Sequence, residues 1–424
     1  MKILSRKITS ASSAFALAAT FVAALGVVSV VSAEKVTLTF WKSPHTSIDK
    51  DIYAPILQAF ERAYPGIKVE HMLVPWAAYT EKYTTAFASA NPPDVHYAVD
   101  EFYPMYAEAG ALADLYTVGS SREIAELRGG IPDSMWHAAH YKGEFVGIPY
   151  LTSGLALVYN KNLLAKAGFD LPPDTWDDVI KYCRKLTIKD ASGKAVQWGW
   201  ADLPFETEEA KPAYYLYQAG ARLLNKDNTG PGFDNPEGLA GFKLCEILYQ
   251  KEKIALPIGK YPGRTIDDAF FTGKFAMWLA HEHLLTTARK GYPNFPIGAA
   301  ITPKGPGGRG AYVGFGLLAI AKKSKHKKEA LDLIKWLTSL ENEKVYCEAS
   351  FLGPANTFVT AFEGDEIRQV WIKNAANSIP FPLMVKLDQL RKLLYKEFQA
   401  LMVGQKTAEQ TQKDAVAIFK SILD

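Results

Sequence analysis

Strands and helices alternate between residues 36 and 99, and this order restricts the fold more than any other feature of the chain. Residues 36–41 alternate between apolar and polar side chains, which predicts a strand with one buried face. A helix that ends at Pro65-Gly66, a strand over 67–74, a helix after Pro75 and a strand over 94–99 follow. This β-α-β-α-β order predicts an α/β fold with a parallel, doubly wound sheet.

Ligands of such sheets bind beyond the carboxyl ends of the strands, so three loops become candidates for a site. They are the loops 41–45, 75–79 and 100–103. Aromatic residues stand at these and other predicted strand ends, namely Trp41, Trp76, Tyr79, Tyr150, Phe205 and Tyr312. Polar residues that could accompany them are His45, Asp100, Glu101, Glu206, Glu282 and Arg309. Because sugar rings pack on aromatic faces and their hydroxyls need polar partners, the pattern is compatible with a sugar site. Taken singly, most of these aromatics are better explained as core residues.

The segment Phe145–Phe169 changes character twice. An extended run containing Pro149 is followed by the polar residues 152–154 and then by an apolar strand over 155–159. Asn160 is a predicted helix N-cap, and Gly168 suits the turn that ends the helix. Two interpretations remain open from this pattern: a strand that continues from one lobe into another, or an ordinary strand–helix unit of one domain.

The first 33 residues are predicted to be a signal peptide that is cleaved after Ala33, which would place the mature chain in the periplasm. They combine a basic start, an apolar stretch and a small-residue Val31-Ser32-Ala33 box. A retained membrane anchor is the alternative. Removal leaves 391 residues and lowers the formal charge from +3 to 0, because the segment holds three basic and no acidic side chains. The mature chain therefore has no compositional bias toward nucleic acid.

A mature chain of this length exceeds what one apolar core usually supports, so two lobes are expected. Cys183 and Cys245 fall in apolar helical rows and are interpreted as buried thiols, with a bridge between them left open. The two histidines of 281–283 lack the spacing of a helical zinc site, and polar residues at a strand end explain them better. No catalytic motif stands out, but the many carboxylates leave a secreted carbohydrate-cleaving enzyme open.

A series of different short motifs occurs in order along nearly all of the mature chain. They are Leu38-Thr39-Phe40-Trp41, Tyr64-Pro65-Gly66-Ile67-Lys68-Val69, Pro93-Asp94-Val95, Gly147-Ile148-Pro149, Val158-Tyr159-Asn160-Lys161, Pro173-Asp174-Thr175-Trp176-Asp177-Asp178, Phe271-Thr272-Gly273-Lys274-Phe275-Ala276-Met277, and Glu329-Ala330-Leu331 leading to Leu337-Thr338-Ser339. In this ordered set the chain resembles the extracellular solute-binding proteins of ABC importers, family 1, the carbohydrate-binding group.

The resemblance implies a periplasmic binding protein fold of type II, in which two doubly wound lobes are joined by hinge strands around a ligand cleft. Of the two interpretations of 145–169, the resemblance favours the hinge strand between lobes, and it pairs this segment with a return strand over 312–320. The expected N-terminal lobe is 34–152 plus 314–352, and the expected C-terminal lobe is 153–313 plus 353–424.

The resemblance also implies a monomer without enzymatic activity or cofactor, which captures a mono- or oligosaccharide and delivers it to membrane permease subunits. Alternative ligands are a phosphorylated polyol such as glycerol 3-phosphate, a polyamine or a metal. The residues expected at the ligand are Trp41, Ser43, His45, Trp76, Tyr79, Asp100, Glu101, Tyr150, Thr152, Ser153, Phe205, His281, Glu282, His283, Tyr312 and Phe315. Two motifs depart from the family pattern: His281-Glu282-His283 replaces a frequent Gly-x-Trp, and Val313-Gly314-Phe315 replaces a Gly-Gly.

Overall fold

The computed structural model describes residues 35–202, 213–259 and 265–424. The strands are β1 (Val36–Lys42), β2 (Ile67–Leu73), β3 (Val95–Val99), β4 (His140–Tyr141), β5 (Glu144–Phe145), β6 (Ile148–Asn160), β7 (Ile188–Lys189), β8 (Ala195–Ala201), β9 (Phe275–His281), β10 (Ile297–Ala300), β11 (Ala311–Ile320), β12 (Gly353–Pro354) and β13 (Ser378–Ile379). The helices are α1 (Asp49–Ala63), α2 (Tyr79–Ala88), α3 (Tyr103–Glu108), α4 (Leu115–Val118), α5 (Ser121–Arg128), α6 (Asp133–Ala138), α7 (Lys161–Lys166), α8 (Trp176–Leu186), α9 (Ala213–Ala219), α10 (Pro236–Glu246), α11 (Ile266–Phe271), α12 (Leu284–Gly291), α13 (Lys327–Leu337), α14 (Leu340–Ser350), α15 (Glu366–Ala375), α16 (Leu387–Met402) and α17 (Ala408–Leu423). A 3₁₀ turn at Trp76–Ala78 precedes α2, and α10 continues into a π-helical turn at Ile247–Lys251.

The main sheet of the described residues has the strand order β2-β1-β3-β11-β6-β9-β8-β7. β1 pairs in parallel with both β2 and β3, as the β-α-β-α-β pattern predicts. β11 is antiparallel to β3 on one side and to β6 on the other. The carboxyl ends of β1, β2 and β3 therefore lie at the same edge of the sheet.

β6 is one unbroken strand of thirteen residues that changes partners midway. Its residues 151–154 pair with β11, whereas 155–159 pair with β9 and 157–160 with β10. The prediction of one continuous strand through this segment is confirmed. The return strand predicted over 312–320 is also present as β11, and the short strand β12 pairs with β6 at Thr152.

Two apolar clusters lie along this sheet. The first packs around β1, β3 and α1 and includes Phe40, Tyr53 and Phe60. The second packs around α8, α10 and α16 and includes Trp200 and Phe242. β9 serves both clusters, because alternate side chains of a strand point to opposite faces. The lobe boundaries expected at residues 152, 313 and 352 stay predictions.

Polar side chains start several helices where the sequence predicts them. Asn160 accepts from the backbone N–H groups of α7, and Thr175 forms a full capping box with Asp178. Thr265 and Thr407 also act as N-caps, of α11 and α17, while Asp268 accepts from Tyr292 and Gln410 donates to Asp414.

The cysteines occur as free, buried thiols at positions 183, 245 and 347. Cys183 and Cys245 belong to the second apolar cluster, in line with the interpretation as core thiols. Of the helices that the structure describes, none combines the length and the apolar character that a membrane span requires.

Candidate functional site

A cavity of about 680 Å³ lies beyond the carboxyl ends of β1, β2 and β3. The three loops selected from the sequence all reach its wall. The lining residues are Pro44, His45, Trp76, Ala77, Thr80, Glu81, Thr84, Thr85, Tyr97, Val99, Asp100, Glu101, Phe102, Ser153, His281, His283, Tyr312, Gly314, Phe315, Asp388, Arg391 and Lys392. The wall therefore contains residues of the loops after the parallel strands and also residues more than 200 positions further along the chain.

A buried ion pair holds the loop that follows β1. Lys42 Nζ lies 2.7 Å from Asp49 Oδ2, and neither side chain is accessible to solvent. Lys42 also donates to the backbone oxygen of Ser43, and the backbone N–H of His45 donates to Asp49. Breaking such a pair leaves an uncompensated buried charge, so the pair stabilises the observed position of this loop.

His45 is kept neutral by its surroundings. Burial, the Lys42 ammonium, His283 and His281 together hold the pKa of His45 well below its usual value. Its Nδ1 lies 2.8 Å from Lys42 Nζ and accepts from that ammonium, which leaves Nε2 carrying the hydrogen. His45 thus offers an uncharged N–H donor at the cavity wall.

Aromatic rings form much of the inner wall. Trp76 donates from Nε1 to the backbone oxygen of Pro44, 2.6 Å away, and stacks on Tyr79 with ring centroids 5.5 Å apart. Tyr312 stacks on Phe381 at 4.3 Å, while Phe315 is only half-buried. Apolar faces that remain partly uncovered in a cavity are available to a ligand.

Asp100 presents a buried carboxyl to the same cavity. Its side chain is 1% exposed, and Oδ1 accepts from the Tyr312 hydroxyl at 3.2 Å. Oδ2 has no hydrogen-bond partner within the described part of the chain. Burial, and then the neighbouring Glu101 charge, raises the pKa of Asp100 well above its usual value. A buried polar oxygen without a partner calls for a hydrogen-bonding group from outside the chain.

Glu101 is paired across the cavity with Arg391 of α16. The two side chains are 3.0 Å apart and are 14% and 4% exposed, respectively. The guanidinium also lies over the rings of Phe102 and Phe381, at 5.7 and 5.3 Å. This contact joins the loop after β3 to a helix of the second apolar cluster.

The floor of the cavity is built where β6 changes partners. Ser153 Oγ lies 2.8 Å from His281 Nδ1, and the backbone N–H of Gly154 donates to Glu282 at 3.1 Å. The rings of His281 and His283 are nearly parallel, with centroids 5.5 Å apart. Within the described ranges, no group of three His, Cys, Asp or Glu side chains is placed to hold a metal ion.

The sixteen residues expected at the ligand divide into three groups. Those on the cavity wall are His45, Trp76, Asp100, Glu101, Ser153, His281, His283, Tyr312 and Phe315. Those off the wall are Trp41, Ser43, Tyr79, Tyr150, Thr152 and Glu282. Phe205, like Glu206, lies outside the described residues. Arg309 is engaged elsewhere, 2.5 Å from Asp174.

The three aromatic residues off the wall pack against other side chains. Tyr150 is fully buried and shares a hydrogen bond with Tyr53, and Tyr79 donates to the backbone of Tyr97 beneath Trp76. Trp41 packs edge-on against Tyr83, on the face of β1 opposite to Lys42. These side chains support the wall from behind instead of forming it.

Two helices add wall residues that sequence reasoning missed. α2 supplies Thr80, Glu81, Thr84 and Thr85, and α16 supplies Asp388, Arg391 and Lys392. Their spacing marks a polar face on each helix, because residues three and four apart are neighbours. Spacing alone does not tell such a face from one turned toward bulk solvent.

The chain combines a mixed α/β fold with two apolar clusters, long strands that the clusters share and a cavity at the common sheet edge. This is the architecture of a two-lobed periplasmic binding protein. The family model for bacterial extracellular solute-binding proteins matches residues 42–344, which is more than half of the chain. The chain belongs to this family.

Curated relatives match over most of their length. A protein of Brucella abortus that is named as a binding protein is 24% identical to this chain, and the match covers 88% of this chain and 89% of the relative. The sn-glycerol-3-phosphate-binding periplasmic protein of Salmonella paratyphi A is 24% identical over 90% and 91% of the two chains. These matches cover more of the chain than the residues 42–344 of the family model.

Solved structures share the fold. A solute-binding protein of Thermotoga lettingae bound with α-D-tagatose superposes with a TM-score of 0.81 at 24% identity, covering 92% of this chain and all of the other. Maltose-bound MalE3 of T. maritima gives 0.79 at 22% identity, covering 91% and 100%. The type II periplasmic binding protein fold predicted from the sequence is confirmed.

Proposed function

We propose that this chain is the exported binding component of an ABC importer and that it captures an uncharged sugar in the cavity. One observation carries this proposal: partly uncovered aromatic faces and buried hydrogen-bonding groups share one wall. Trp76 and Phe315 offer faces for the C–H side of a sugar ring. Asp100 and His45 offer an acceptor and a neutral donor for its hydroxyls.

The charges of the wall favour a neutral ligand over a phosphorylated polyol. Both wall cations already have carboxylate partners, since Arg391 pairs with Glu101 and Lys392 lies 2.8 Å from Asp388. Glu81 adds an acidic group to the same wall. A phosphate needs unpaired cationic or backbone N–H donors, and the Glu81 carboxylate would repel it.

The ligands named for similar proteins support the same class. Tagatose, maltose and mannobiose are bound in neighbours of the same fold, and a relative of Streptomyces coelicolor is a diacetylchitobiose binding protein. The Salmonella relative, by contrast, is named for glycerol 3-phosphate. The charges of the wall, more than these names, make sugar the preferred ligand here.

In the proposed mechanism the two lobes bend about the shared strands and close on the sugar. The ligand shifts the population toward a closed state because only that state brings both walls into contact with it. The closed state then presents both lobes to the membrane permease. The proposal also includes cleavage after Ala33 and a periplasmic monomer without catalytic activity. It places the lobe boundaries at residues 152, 313 and 352.

A thermal-shift screen over sugars, polyols and glycerol phosphates tests the ligand class, since a ligand that binds only the folded state raises the melting temperature. We expect a shift with at least one sugar and none with glycerol 3-phosphate. A shift with glycerol 3-phosphate alone would contradict the sugar assignment. Incubation with oligosaccharides, followed by a reducing-end assay, tests the rival of a carbohydrate-cleaving enzyme, and release of new ends would reject pure binding.

A further inference from the structure

Asp100 differs from the other buried aspartates that the structure describes. Asp49 and Asp94 each accept hydrogen bonds on both carboxylate oxygens from donors within the chain. Asp100 is 1% exposed and accepts from the Tyr312 hydroxyl on Oδ1, whereas Oδ2 has no partner within the described ranges. Because a buried, ionised carboxyl group is costly unless donors or cations compensate it, this geometry favours a neutral Asp100.

The cations of the cavity wall are committed to other carboxylates. Arg391 lies 3.0 Å from Glu101, and Lys392 lies 2.8 Å from Asp388. Glu101 follows Asp100 directly in the chain, and a negative charge there disfavours a second one beside it. The free cavity therefore does little to stabilise an ionised Asp100.

Several neighbouring elements contribute groups that interact electrostatically with Asp100. They are Glu101 after β3, Tyr312 and the backbone of Phe315 in β11, Arg391 in α16, Tyr97 in β3 and Tyr103 in α3. Burial has the largest effect and, with the Glu101 charge, raises the pKa of Asp100 well above its usual value. The Tyr312 hydroxyl and then Arg391 act in the opposite direction without outweighing burial. The charges agree with the hydrogen-bond geometry in favouring the neutral form.

A sugar hydroxyl at this wall would supply the donor that Oδ2 lacks. Hydrogen bonds to ionised groups are about twice as strong as those between neutral groups. A hydroxyl that donates to Oδ2 therefore stabilises the carboxylate more than it stabilises the neutral acid. Ligand binding and ionisation of Asp100 then favour each other.

We propose that Asp100 carries a proton in the free protein and that sugar binding displaces this proton, so that capture of the sugar releases one proton. The inference rests on the proposed function of the cavity as a sugar site. The O–H bond of the carboxyl group breaks and its proton passes to solvent, while the sugar hydroxyl keeps its own hydrogen and donates it to the carboxylate. The sugar is then held more tightly at higher pH, where removal of the proton costs less.

Infrared spectroscopy of the free mature protein tests the first half of the proposal without any ligand. At neutral pH the wild-type protein should show a carbonyl band of a neutral carboxylic acid that Asp100→Asn lacks. Identical spectra of the two proteins in this region would overturn the proposal.

Calorimetric titration with tagatose, maltose and mannobiose, in two buffers with different heats of ionisation, tests the second half. For a sugar that binds, we expect release of up to one proton for each sugar bound. The affinity should rise about tenfold between about pH 6 and about pH 9, because one charge-assisted hydrogen bond favours the carboxylate by about that factor. Asp100→Asn should bind more weakly, without proton release and with an affinity that does not depend on pH in this range.

Two variants should move the pH dependence in opposite directions. Tyr312→Phe removes a donor to the carboxylate and should move the rise in affinity to higher pH. Glu101→Gln removes a neighbouring negative charge and should move it to lower pH. Asp332→Asn is the matched control, because burial also raises the pKa of Asp332, which lies on α13 and does not line the cavity. This control should keep the proton release of wild type.

Proton uptake on binding, an affinity that does not change with pH, or proton release that persists in Asp100→Asn would overturn the proton exchange and leave the sugar site intact. Binding of glycerol 3-phosphate but of none of the three sugars would overturn the proposed function itself. The infrared comparison would still decide whether Asp100 is protonated in the free protein.

Discussion

The ion pair between Glu101 and Arg391 should contribute to holding the cleft closed, and Arg391→Met tests this directly. Methionine keeps an apolar stem between the rings of Phe102 and Phe381 but removes the charge. The pair is 3.0 Å long with side chains 14% and 4% exposed, so it lies between a surface pair and a fully buried one. Surface pairs contribute at most about 1 kcal/mol, while breaking a buried pair costs about 3–5 kcal/mol.

We therefore expect the coupling between the two side chains to be about 2 kcal/mol. If the pair forms only when the cleft is closed, its loss raises the apparent sugar Kd about 30-fold, because the binding-competent fraction falls by that factor. A double-mutant cycle with Glu101→Gln, followed by urea denaturation and by sugar titration, isolates the pairwise energy.

The exposed pair Lys142–Glu108 is the control, with side chains 68% and 42% exposed. Lys142→Met should change stability and sugar affinity little, as is usual for surface pairs. A coupling of Glu101 and Arg391 no larger than that of the exposed pair would refute the reasoning. So would an effect on stability without any on sugar affinity, because that would make the contact structural only.

Three further predictions follow from buried groups. Asp100→Asn should weaken sugar binding about tenfold and yet raise the stability of the protein at pH 8. Burial, with Glu101, raises the pKa of Asp100, so wild type loses stability as pH rises through that pKa, whereas the asparagine variant does not. The stability gain of the variant should therefore vanish near pH 4 in melting experiments. Burial lowers the pKa of His96 to about 3, so the unfolded chain takes up the proton first as pH falls. Between pH 6.5 and 5, the free energy of unfolding of His96→Leu should fall by about 2 kcal/mol less than that of wild type in urea titrations. Equal losses in the two proteins would count against this. Gly316→Ala should destabilise by about 1–3 kcal/mol, because a Cβ would lie 2.0 Å from the Tyr97 ring, and an unchanged urea midpoint would contradict that packing.

The order of elements was predictable because it depends on local pattern. Alternating side chains located β1, the order of elements located β3, and the family resemblance located the return strand β11. The polar break within 145–169 marked where β6 changes partners. Caps such as Asn160 were predictable for the same reason, since they bind backbone groups two or three residues away.

The candidate site was predictable only where it follows strand ends. His45, Trp76 and Asp100 come directly after parallel strands, and chain order therefore locates them. Tyr150 lies on a strand that is covered on both faces, so its aromatic character did not indicate which way it points. α16 reaches the cavity through contacts almost 300 residues apart in sequence, such as Glu101–Arg391, which no local pattern encodes.

The central claim is that the cavity holds a sugar between aromatic faces and buried polar groups. Calorimetric titration of the mature wild-type protein, Trp76→Ala and Phe315→Ala with the sugars that raise its melting temperature tests it most directly. We expect saturable one-site binding in wild type and at least tenfold weaker binding in each variant, since losing about 60 Å² of apolar contact at about 25 cal/mol per Å² corresponds to roughly tenfold in Kd. Binding of glycerol 3-phosphate but of no sugar, or sugar binding that neither variant weakens, would contradict the account.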